Sequence, residues 1–320
     1  MNKKILVTGA TGYVGQNLVT SLIKKGYIVY ALTRKESSIF SNNKNVNVIT
    51  GDITDHIDLP SDIKTIYHCA GIIHESKEME KVNVLGTQNI VDLAIKNDCA
   101  LIHLSSAGVV GKTEEIILDE RTSCHPQNAY EISKYKAEQI VIEGIKKGLR
   151  AHILRPTSIF GNGQNSRNDS FLQLAKSMRT GLYKNIRQGI YNIVHIDEVI
   201  KAMELLDEKN IPFGDIYIIN NTITYKNMDM LVKNLSPIVE KKTQQIPYFI
   251  AFITMTILSI LYFMVNQKNP LTFSRLKALT NKKIYSQNKI IETISFKNNL
   301  QIEEYVRKVC IEYINLGLMP

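Results

Sequence analysis

Residues 4–15 form the sequence KILVTGATGYVG, in which a short apolar run is followed at once by glycines in the pattern GxxGxxG. The run predicts a buried strand, and apolar residues at helical spacing from Val14 to Ile23 predict a helix that ends near Gly26. Glycines between a strand and a helix let a pyrophosphate approach the backbone, where the helix N-terminus offers N–H groups. This stretch therefore predicts a dinucleotide-binding loop. Its expected cofactor-binding residues are Gly9, Thr11, Gly12, Tyr13, Val14 and Gly15.

Strands and helices alternate along the first half of the chain. Strands joined by helices pair in parallel, because each helix carries the chain back to the same end of the sheet. The pattern predicts an α/β fold, a Rossmann-type doubly wound parallel sheet with helices on both faces. The predicted strands after the first are 28–32, 46–49, 65–69, 100–104 and 151–154, and the predicted helices are 82–97 and 129–147.

The alternation loosens after about residue 160, so we predict a Rossmann domain over 1–160 and a smaller, mainly substrate-binding region over 161–320. The expected elements there are a polar loop over 161–170, helices over 171–180 and 197–207, strands at 190–194 and 216–219, and an apolar helix over 248–265.

Composition and charge place the chain among ordinary globular proteins. The net charge is +9, which can indicate nucleic acid, anionic lipid or an anionic substrate as a partner. No run of five or more basic residues occurs, so solvated lysines are the favoured explanation and no nucleic-acid partner is expected. The four cysteines form no CxxC pair and no zinc spacing, which predicts free thiols in a reducing compartment and no metal site. The N-terminal apolar run is too short for a signal peptide. We expect a cytoplasmic protein.

The end of the second predicted strand bears on the choice of cofactor. An acidic residue there binds the ribose 2′-hydroxyl of NAD, whereas a nearby arginine accommodates the 2′-phosphate of NADP. This chain has Thr33-Arg34-Lys35, which favours NADP over NAD. The alternative is a solvated basic loop.

Tyr130 and Lys134 lie four residues apart, on one face of the predicted helix. An ammonium near a phenol lowers the phenol pKa, which suits proton exchange with a substrate hydroxyl near neutral pH. Ser106 follows a predicted strand, where ligands bind in open parallel sheets, and its hydroxyl could bond the substrate oxygen. The alternatives are a packed ring with a solvated amine, and serines that cap a loop or helix.

Eight motifs resemble extended short-chain dehydrogenase/reductases in order and spacing. The resemblance is to the nucleotide-sugar epimerase/dehydratase branch, especially 4-epimerases and 4-keto-reductases of polysaccharide biosynthesis. The 3β-hydroxysteroid dehydrogenase branch is also similar. The motifs are GATGYVG (9–15), GDI (51–53), HCAG (68–71), VNVLGTQNIV (82–91), HLSSAGVVG (103–111), YEISK (130–134), LRPTSIFGNG (154–163) and VHIDEV (194–199).

The resemblance implies roles for particular residues. Tyr130 is the expected acid/base, Lys134 its partner, which also holds the nicotinamide ribose, and Ser106 the catalytic serine. Asn83 matches a structural asparagine, and a homodimer through helices 82–97 and 129–147 is implied. The remaining expected cofactor contacts are Asp52 and Ile53 at the adenine, and Ala70 and Gly71 along the cofactor.

Two positions depart from the family pattern on the substrate side. Thr157 stands where related epimerases often carry an asparagine that contacts the nucleotide diphosphate. An arginine is also missing shortly before His195, so Arg187 or Arg275 would supply the pyrophosphate contact, since a guanidinium binds phosphate in bidentate fashion.

Residues 248–265 (YFIAFITMTILSILYFMV) contain no charge. Their length is at the lower edge of a membrane span, which takes about 20 residues. We favour a helix that dips into one leaflet or lies on the surface at the inner face of the plasma membrane. A buried or dimer-interface helix and a true span are the alternatives.

The leading functional hypothesis is an NAD(P)-dependent enzyme that acts at C4 of a nucleoside-diphosphate sugar, as an epimerase or a 4-keto-sugar reductase. A 3β-hydroxysteroid-type dehydrogenase is the second hypothesis, because the apolar stretch suits a substrate that partitions into lipid. A non-catalytic NAD(P)-binding regulator is the third. It is disfavoured because Tyr130 and Lys134 are both present.

Overall fold

The structure is a computed structural model that describes residues 3–35, 38–40, 43–161, 170–186, 189–235, 245–264 and 273–320. The described residues form twelve strands. They are β1 (Lys4–Thr8), β2 (Ile28–Thr33), β3 (Val46–Thr50), β4 (Ile63–His68), β5 (Ala100–Leu104), β6 (Ile117–Leu118), β7 (Ala151–Pro156), β8 (Ser158–Phe160), β9 (Ile190–His195), β10 (Ile216–Ile219), β11 (Asn221–Thr224) and β12 (Ile284–Tyr285).

The same residues form ten α-helices. They are α1 (Tyr13–Lys24), α2 (Gly86–Lys96), α3 (Ala129–Lys146), α4 (Ser170–Arg179), α5 (Ile196–Glu208), α6 (Tyr225–Lys233), α7 (Tyr248–Met264), α8 (Phe273–Leu279), α9 (Asn288–Ile294) and α10 (Ile302–Asn315). A π-helical segment, Glu80–Leu85, runs directly into α2, and short 3₁₀ helices cover Ser38–Phe40 and Ala107–Val110.

Seven strands form one parallel sheet in the order β3-β2-β1-β4-β5-β7-β10, which confirms the predicted Rossmann-type fold. The strand order reverses between β1 and β4, so the chain leaves these two neighbouring strands in opposite directions. Thr8, the last residue of β1, pairs in register with His68 of β4. This reversal opens a crevice at the carboxyl ends of the strands, which is where ligands bind in such sheets.

Helices cover both faces of this sheet and bury the core against it. On one face, Leu18 of α1, Met203 of α5 and Ile290 of α9 belong to one cluster of buried side chains. On the other face, Ile90 of α2 and Val141 of α3 belong to a second cluster. Each fully buried aliphatic side chain contributes about 1.5–3 kcal/mol relative to exposure, so these two layers fix the sheet that carries the site.

A three-stranded sheet, in the order β11-β9-β8, packs with α4, α6 and α10 around a third cluster. β9 pairs antiparallel with β11 and parallel with β8, and β12 pairs with β6. The later half of the chain also returns α5 and β10 to the main sheet. The division of the chain at residue 160 stays a prediction.

The strands and helices predicted from the sequence are present, with bounds that differ by a residue or two. The predicted helix 82–97 begins instead as the π-helical segment, whose wide turn holds the Asn83 side chain in the interior. The predicted polar loop 161–170 lies mostly outside the described residues, as does position 265 of the apolar helix. Four short strands, β6, β8, β11 and β12, were not predicted, because two to four residues carry too little periodicity.

Candidate active site

The glycine loop between β1 and α1 has no room for a side chain at Gly9 or Gly15. A Cβ on Gly15 would lie 2.1 Å from the Gly9 carbonyl oxygen, and a Cβ on Gly9 would lie 2.7 Å from the Ala70 Cα. Gly9 also has a φ of +64°, which favours glycine. Gly12 caps α1 without a side-chain hydrogen bond, and the first turn contains no acidic residue. The loop therefore fits the pyrophosphate of a dinucleotide.

A buried hydrogen-bond chain joins this loop to β4 and α2. The Thr8 hydroxyl lies 2.7 Å from His68 Nδ1, and His68 Nε2 lies 3.0 Å from the Thr87 hydroxyl. Burial, with a smaller effect of Lys134, lowers the pKa of His68 to about 3, so the ring is neutral. Thr8 also accepts a hydrogen bond from the Ala70 amide. The chain thereby fixes the backbone that the sequence predicts to line the cofactor.

Asn83 joins the loop after β4 to the helix that carries the predicted catalytic pair. Its side-chain amide accepts from the Ile72 amide at 2.8 Å and donates to the Ile72 carbonyl at 3.0 Å. It also donates to the Ser133 hydroxyl, which donates in turn to the Tyr130 carbonyl. A Cβ on Gly71 would lie 3.3 Å from the Asn83 side-chain oxygen. Asn83 thus sets the distance between α3 and the main chain that is predicted to line the cofactor.

Two of the residues predicted to hold the adenosine end meet at one cavity of about 270 Å³. Arg34 and Asp52 line this cavity, and the Asp52 carboxylate also accepts from the Thr54 amide in a tight turn. Thr33 and Ile53 are buried and do not line the cavity. The remaining lining residues are Thr54, Ile72, Glu75, Glu78, Lys81 and Val82.

Tyr130 and Ser106 meet at the carboxyl end of β5. The Ser106 hydroxyl caps the 3₁₀ helix 107–110 by accepting from the Gly108 amide at 3.1 Å. The phenol of Tyr130, in the first turn of α3, lies close enough to the same hydroxyl for Ser106 to lower the phenol pKa. This arrangement presents two hydroxyl groups side by side at the sheet edge where a substrate oxygen could bind both.

One expectation about this pair was wrong. The sequence predicts a lowered phenol pKa, but burial raises the pKa of Tyr130, and the nearby Ser106 hydroxyl only partly opposes that effect. Desolvation disfavours the charged phenolate. The Lys134 ammonium donates instead to the Leu104 carbonyl at 2.6 Å. Burial lowers the pKa of Lys134 to about 8, against the opposing effects of Glu138 and Cys69.

Sequence reasoning missed Glu138, which lies one turn beyond Lys134 on the buried face of α3. Its carboxylate accepts two hydrogen bonds from Arg155 of β7, at 2.7 and 2.9 Å, and both side chains are buried. The i, i+4 spacing from Lys134 is the signal that could have found Glu138, because a buried cation needs a carboxylate within reach.

The predicted substrate contacts are only partly described. Thr157, just after β7, donates to Asn220, which bonds Asn192 and the Tyr285 carbonyl, so this position joins both sheets and β12. Arg187 lies outside the described residues, and Arg275 lies in α8 with its side chain outside them. The structure therefore gives no position for either guanidinium.

The apolar helix α7 spans 17 residues. Within the described part of the chain, no helix combines the length and the apolar character that crossing a bilayer requires.

Comparison with known proteins supplies the family. A UDP-glucose 4-epimerase of Vibrio cholerae is 28% identical over 265 residues, which cover 77% of this chain and 79% of that protein. A 3-beta-hydroxysteroid dehydrogenase of Mycolicibacterium neoaurum is 28% identical over 245 residues, which cover 68% of this chain and 65% of that protein.

Solved structures agree in fold. A UDP-glucose 4-epimerase from Thermotoga maritima, solved with UDP-glucose, has a TM-score of 0.74 at 20% identity and covers 98% of this chain and 99% of its own. A dTDP-glucose 4,6-dehydratase of Bacillus anthracis, solved with NAD, has a TM-score of 0.75 at 17% identity, covering 98% and 97%. The model of the NAD dependent epimerase/dehydratase family matches residues 5–219. The chain belongs to this family of enzymes.

Proposed function

We propose that the protein transfers hydride at C4 of a nucleoside-diphosphate sugar, as a 4-epimerase or a 4-keto-sugar reductase, in surface polysaccharide biosynthesis. The observation that carries the proposal is the proximity of the Tyr130 phenol to the Ser106 hydroxyl just after β5. The match to the epimerase/dehydratase family and the similarity to a UDP-glucose 4-epimerase support the choice of substrate class.

In this proposal, Tyr130 exchanges a proton with the sugar hydroxyl and Ser106 orients the same oxygen. A bound nicotinamide supplies the hydride acceptor or donor. Lys134, one turn beyond Tyr130, would hold the nicotinamide ribose. The raised pKa of Tyr130 keeps the phenol protonated, which suits proton donation to a keto oxygen and hence reduction.

The cofactor contacts follow from the loop and the cavity already described. The glycine loop would hold the pyrophosphate, Ala70 and Gly71 would line the dinucleotide, and Asp52 and Ile53 would hold the adenine. We propose NADP as the preferred cofactor, supported by Arg34 at the cavity. The carboxylates of Glu75 and Glu78 line the same cavity and oppose a 2′-phosphate, so binding of NAD and NADP must be compared directly.

The substrate contacts are proposed at Ser106, Thr157, Arg187 and Arg275. Tyr191, four residues before His195, stacks on Tyr225 with ring centroids 5.2 Å apart. An aromatic stack therefore occupies the region where related epimerases carry the arginine that this sequence lacks. A pyrophosphate contact must therefore come from elsewhere, and Arg187 and Arg275 are the proposed sources.

The test is incubation of the purified protein with a panel of UDP- and dTDP-sugars, with and without NAD(P)H, read by NMR and mass spectrometry. We expect a C4-epimerised or C4-reduced product, and none from Tyr130→Phe. An epimerase must retain its cofactor, so turnover without added NAD(P)H would exclude the reductase. No product from any sugar, or full turnover by Tyr130→Phe, would overturn the proposal.

A 3β-hydroxysteroid-type dehydrogenase is the second candidate. The similarity to a steroid dehydrogenase and the exposed apolar side chains of α7 favour it. The same panel with sterols and NAD(P) separates the two, because only this candidate requires oxidation of a sterol. Product formation from either class would also exclude a non-catalytic regulator.

We further propose that the protein is a homodimer at the inner face of the plasma membrane. Leu85, just before α2, and Ile132 of α3 are large apolar residues exposed on neighbouring helices, which supports a two-helix interface there. Light scattering should show a dimer for wild type and a monomer for Leu85→Glu/Ile132→Glu. A wild-type monomer would contradict it.

A further inference from the structure

One side of α7 exposes four large apolar side chains, Phe249, Ile253, Ile257 and Ile260. Each is more than half exposed. They recur at spacings of four, four and three residues, so they form one stripe along the helix, which we call the outer stripe. Exposing several such side chains to water is costly, and contiguous apolar patches of this kind mark interaction sites.

The opposite side of α7 holds the helix on the protein. Ala251 and Met255 are buried and form a small cluster with Leu276 of α8. At its N-terminal end, the Ile246 amide donates to the Asn185 carbonyl at 3.0 Å. The outer stripe therefore faces away from an attachment that is already made within the chain.

The chain after α8 returns to the same body. β12 pairs with β6, and the Lys283 ammonium donates to the Thr113 carbonyl. A helix of 17 residues is about 25 Å long, against about 30 Å of hydrocarbon in a bilayer. The described part of α7 is shorter than that hydrocarbon core, is attached along its inner side and is followed by a return of the chain to the body, an arrangement that suits a helix lying in a membrane surface.

Charge identifies the kind of surface. The segment 248–265 has no charged residue, while lysines occur on both sides of it in a protein of net charge +9. An apolar stripe flanked by basic residues suits an anionic lipid surface, where acyl chains take the apolar side chains and headgroups attract the lysines. The flanking lysines in the sequence are Lys241, Lys242, Lys268, Lys277 and Lys282.

We propose that the outer stripe of α7 inserts into one leaflet of an anionic bilayer, with the helix axis in the membrane plane. The inference rests on the proposed membrane location, but not on the proposed chemistry. A lipid occupant explains both why the outer stripe has no hydrogen-bonding group and why lysines flank the apolar segment. A second copy of this chain would leave the flanking lysines facing one another.

The depth of insertion can be measured because the sequence contains no tryptophan. Phe249→Trp places a single tryptophan on the outer stripe, and Ile311→Trp on α10, where Ile311 is 43% exposed, is the matched control. With phosphatidylglycerol/phosphatidylcholine vesicles, we expect a blue shift for Phe249→Trp alone. Lipids brominated near the headgroup should quench it more than lipids brominated near the bilayer centre. Strongest quenching from the centre, or no shift at all, would overturn the in-plane arrangement.

Vesicle cosedimentation tests the stripe itself. Ile253→Glu/Ile257→Glu should weaken vesicle binding about 100-fold or more, since burying each isoleucine side chain in lipid raises the affinity about tenfold. Ile311→Glu should bind like wild type. Because the substituted positions are exposed, thermal unfolding should not change. Wild-type protein that stays in the supernatant, or a double variant that still sediments, would overturn the proposal.

Light scattering completes the experiment. If Ile253→Glu/Ile257→Glu converts a dimer to a monomer, the stripe binds a second copy of the chain and the lipid proposal is wrong. Vesicle binding is measured without turnover, and the sugar panel is measured without lipid. The failure of one proposal is therefore distinguishable from the failure of the other.

Discussion

The ammonium of Lys134 donates a 2.6 Å hydrogen bond to the main-chain carbonyl of Leu104, the last residue of β5. Lys134 is 6% exposed, and the carboxylate of Glu138 lies one helical turn away. A carbonyl and a nearby carboxylate thus replace most of the water around this cation, and the lowered pKa of Lys134 shows that they replace it incompletely. The position is held at a cost in stability, which a substitution can reveal.

Lys134→Met should therefore stabilise the protein without its cofactor at pH 7, by roughly 1–3 kcal/mol, while it abolishes turnover. The folded pKa of about 8 is below the unfolded value of 10.5, so the unfolded state binds more protons between these pH values. Wild-type stability should rise with pH across that window relative to the variant. Urea unfolding of both proteins at pH 7 and pH 10 measures the effect, and a variant less stable than wild type at pH 7 would contradict it.

Ser106→Ala should raise the pKa of Tyr130 further, because it removes the hydroxyl that opposes the effect of burial on that pKa. Oxidation needs the phenolate, so the pH at which the oxidation rate of the variant begins to rise should be higher than in wild type. The pH profile of oxidation gives the shift, and so does the tyrosinate absorbance after subtraction of the Tyr130→Phe spectrum. Ser105→Ala is the matched control, since the buried Ser105 hydroxyl has no hydrogen-bond partner among the described residues. An unmoved profile in Ser106→Ala would refute the assigned contact.

Glu138→Gln should destabilise the protein by about 3–5 kcal/mol, because it leaves the buried guanidinium of Arg155 without its counter-charge. It should also lower the pKa of Lys134 further, since the Glu138 carboxylate raises that pKa. Glu143→Gln on the exposed side of the same helix is the control and should change stability little. Chemical denaturation measures both variants, and equal stabilities would show that the Arg155 pair contributes nothing net.

The sequence predicted the parts of the site that depend on local pattern. The glycine loop, the strand that ends at Leu104 and the helix that carries Tyr130 are each encoded by residues close together in the chain. The contacts that hold these parts together could not be predicted in this way. The Asn83–Ser133 bond joins residues 50 apart, and the Glu138–Arg155 pair joins a helix to the next strand. The sign of the Tyr130 pKa shift also depends on burial, which no spacing reveals.

His152 of β7 should make the protein sensitive to acid. Its ring lies 4.9 Å from that of Phe213 and 5.5 Å from that of Tyr217, and burial lowers its pKa to about 4. The unfolded histidine, with a pKa of 6.5, binds a proton that the folded one does not. Stability should therefore fall as pH decreases from 6.5 towards 4.

At pH 5, this single group should cost about 2 kcal/mol relative to pH 7. His152→Leu should remove that part of the loss, so the stability of the variant relative to wild type should rise by about 2 kcal/mol between pH 7 and pH 5. His56→Leu, at an exposed position, should keep the wild-type dependence. Urea unfolding from pH 7 to pH 5 measures all three proteins. A histidine that is neutral in the folded core must release its proton on folding, so acid should destabilise wild type more than the variant. Parallel curves for wild type and His152→Leu would mean that the buried ring does not govern the loss of stability in acid.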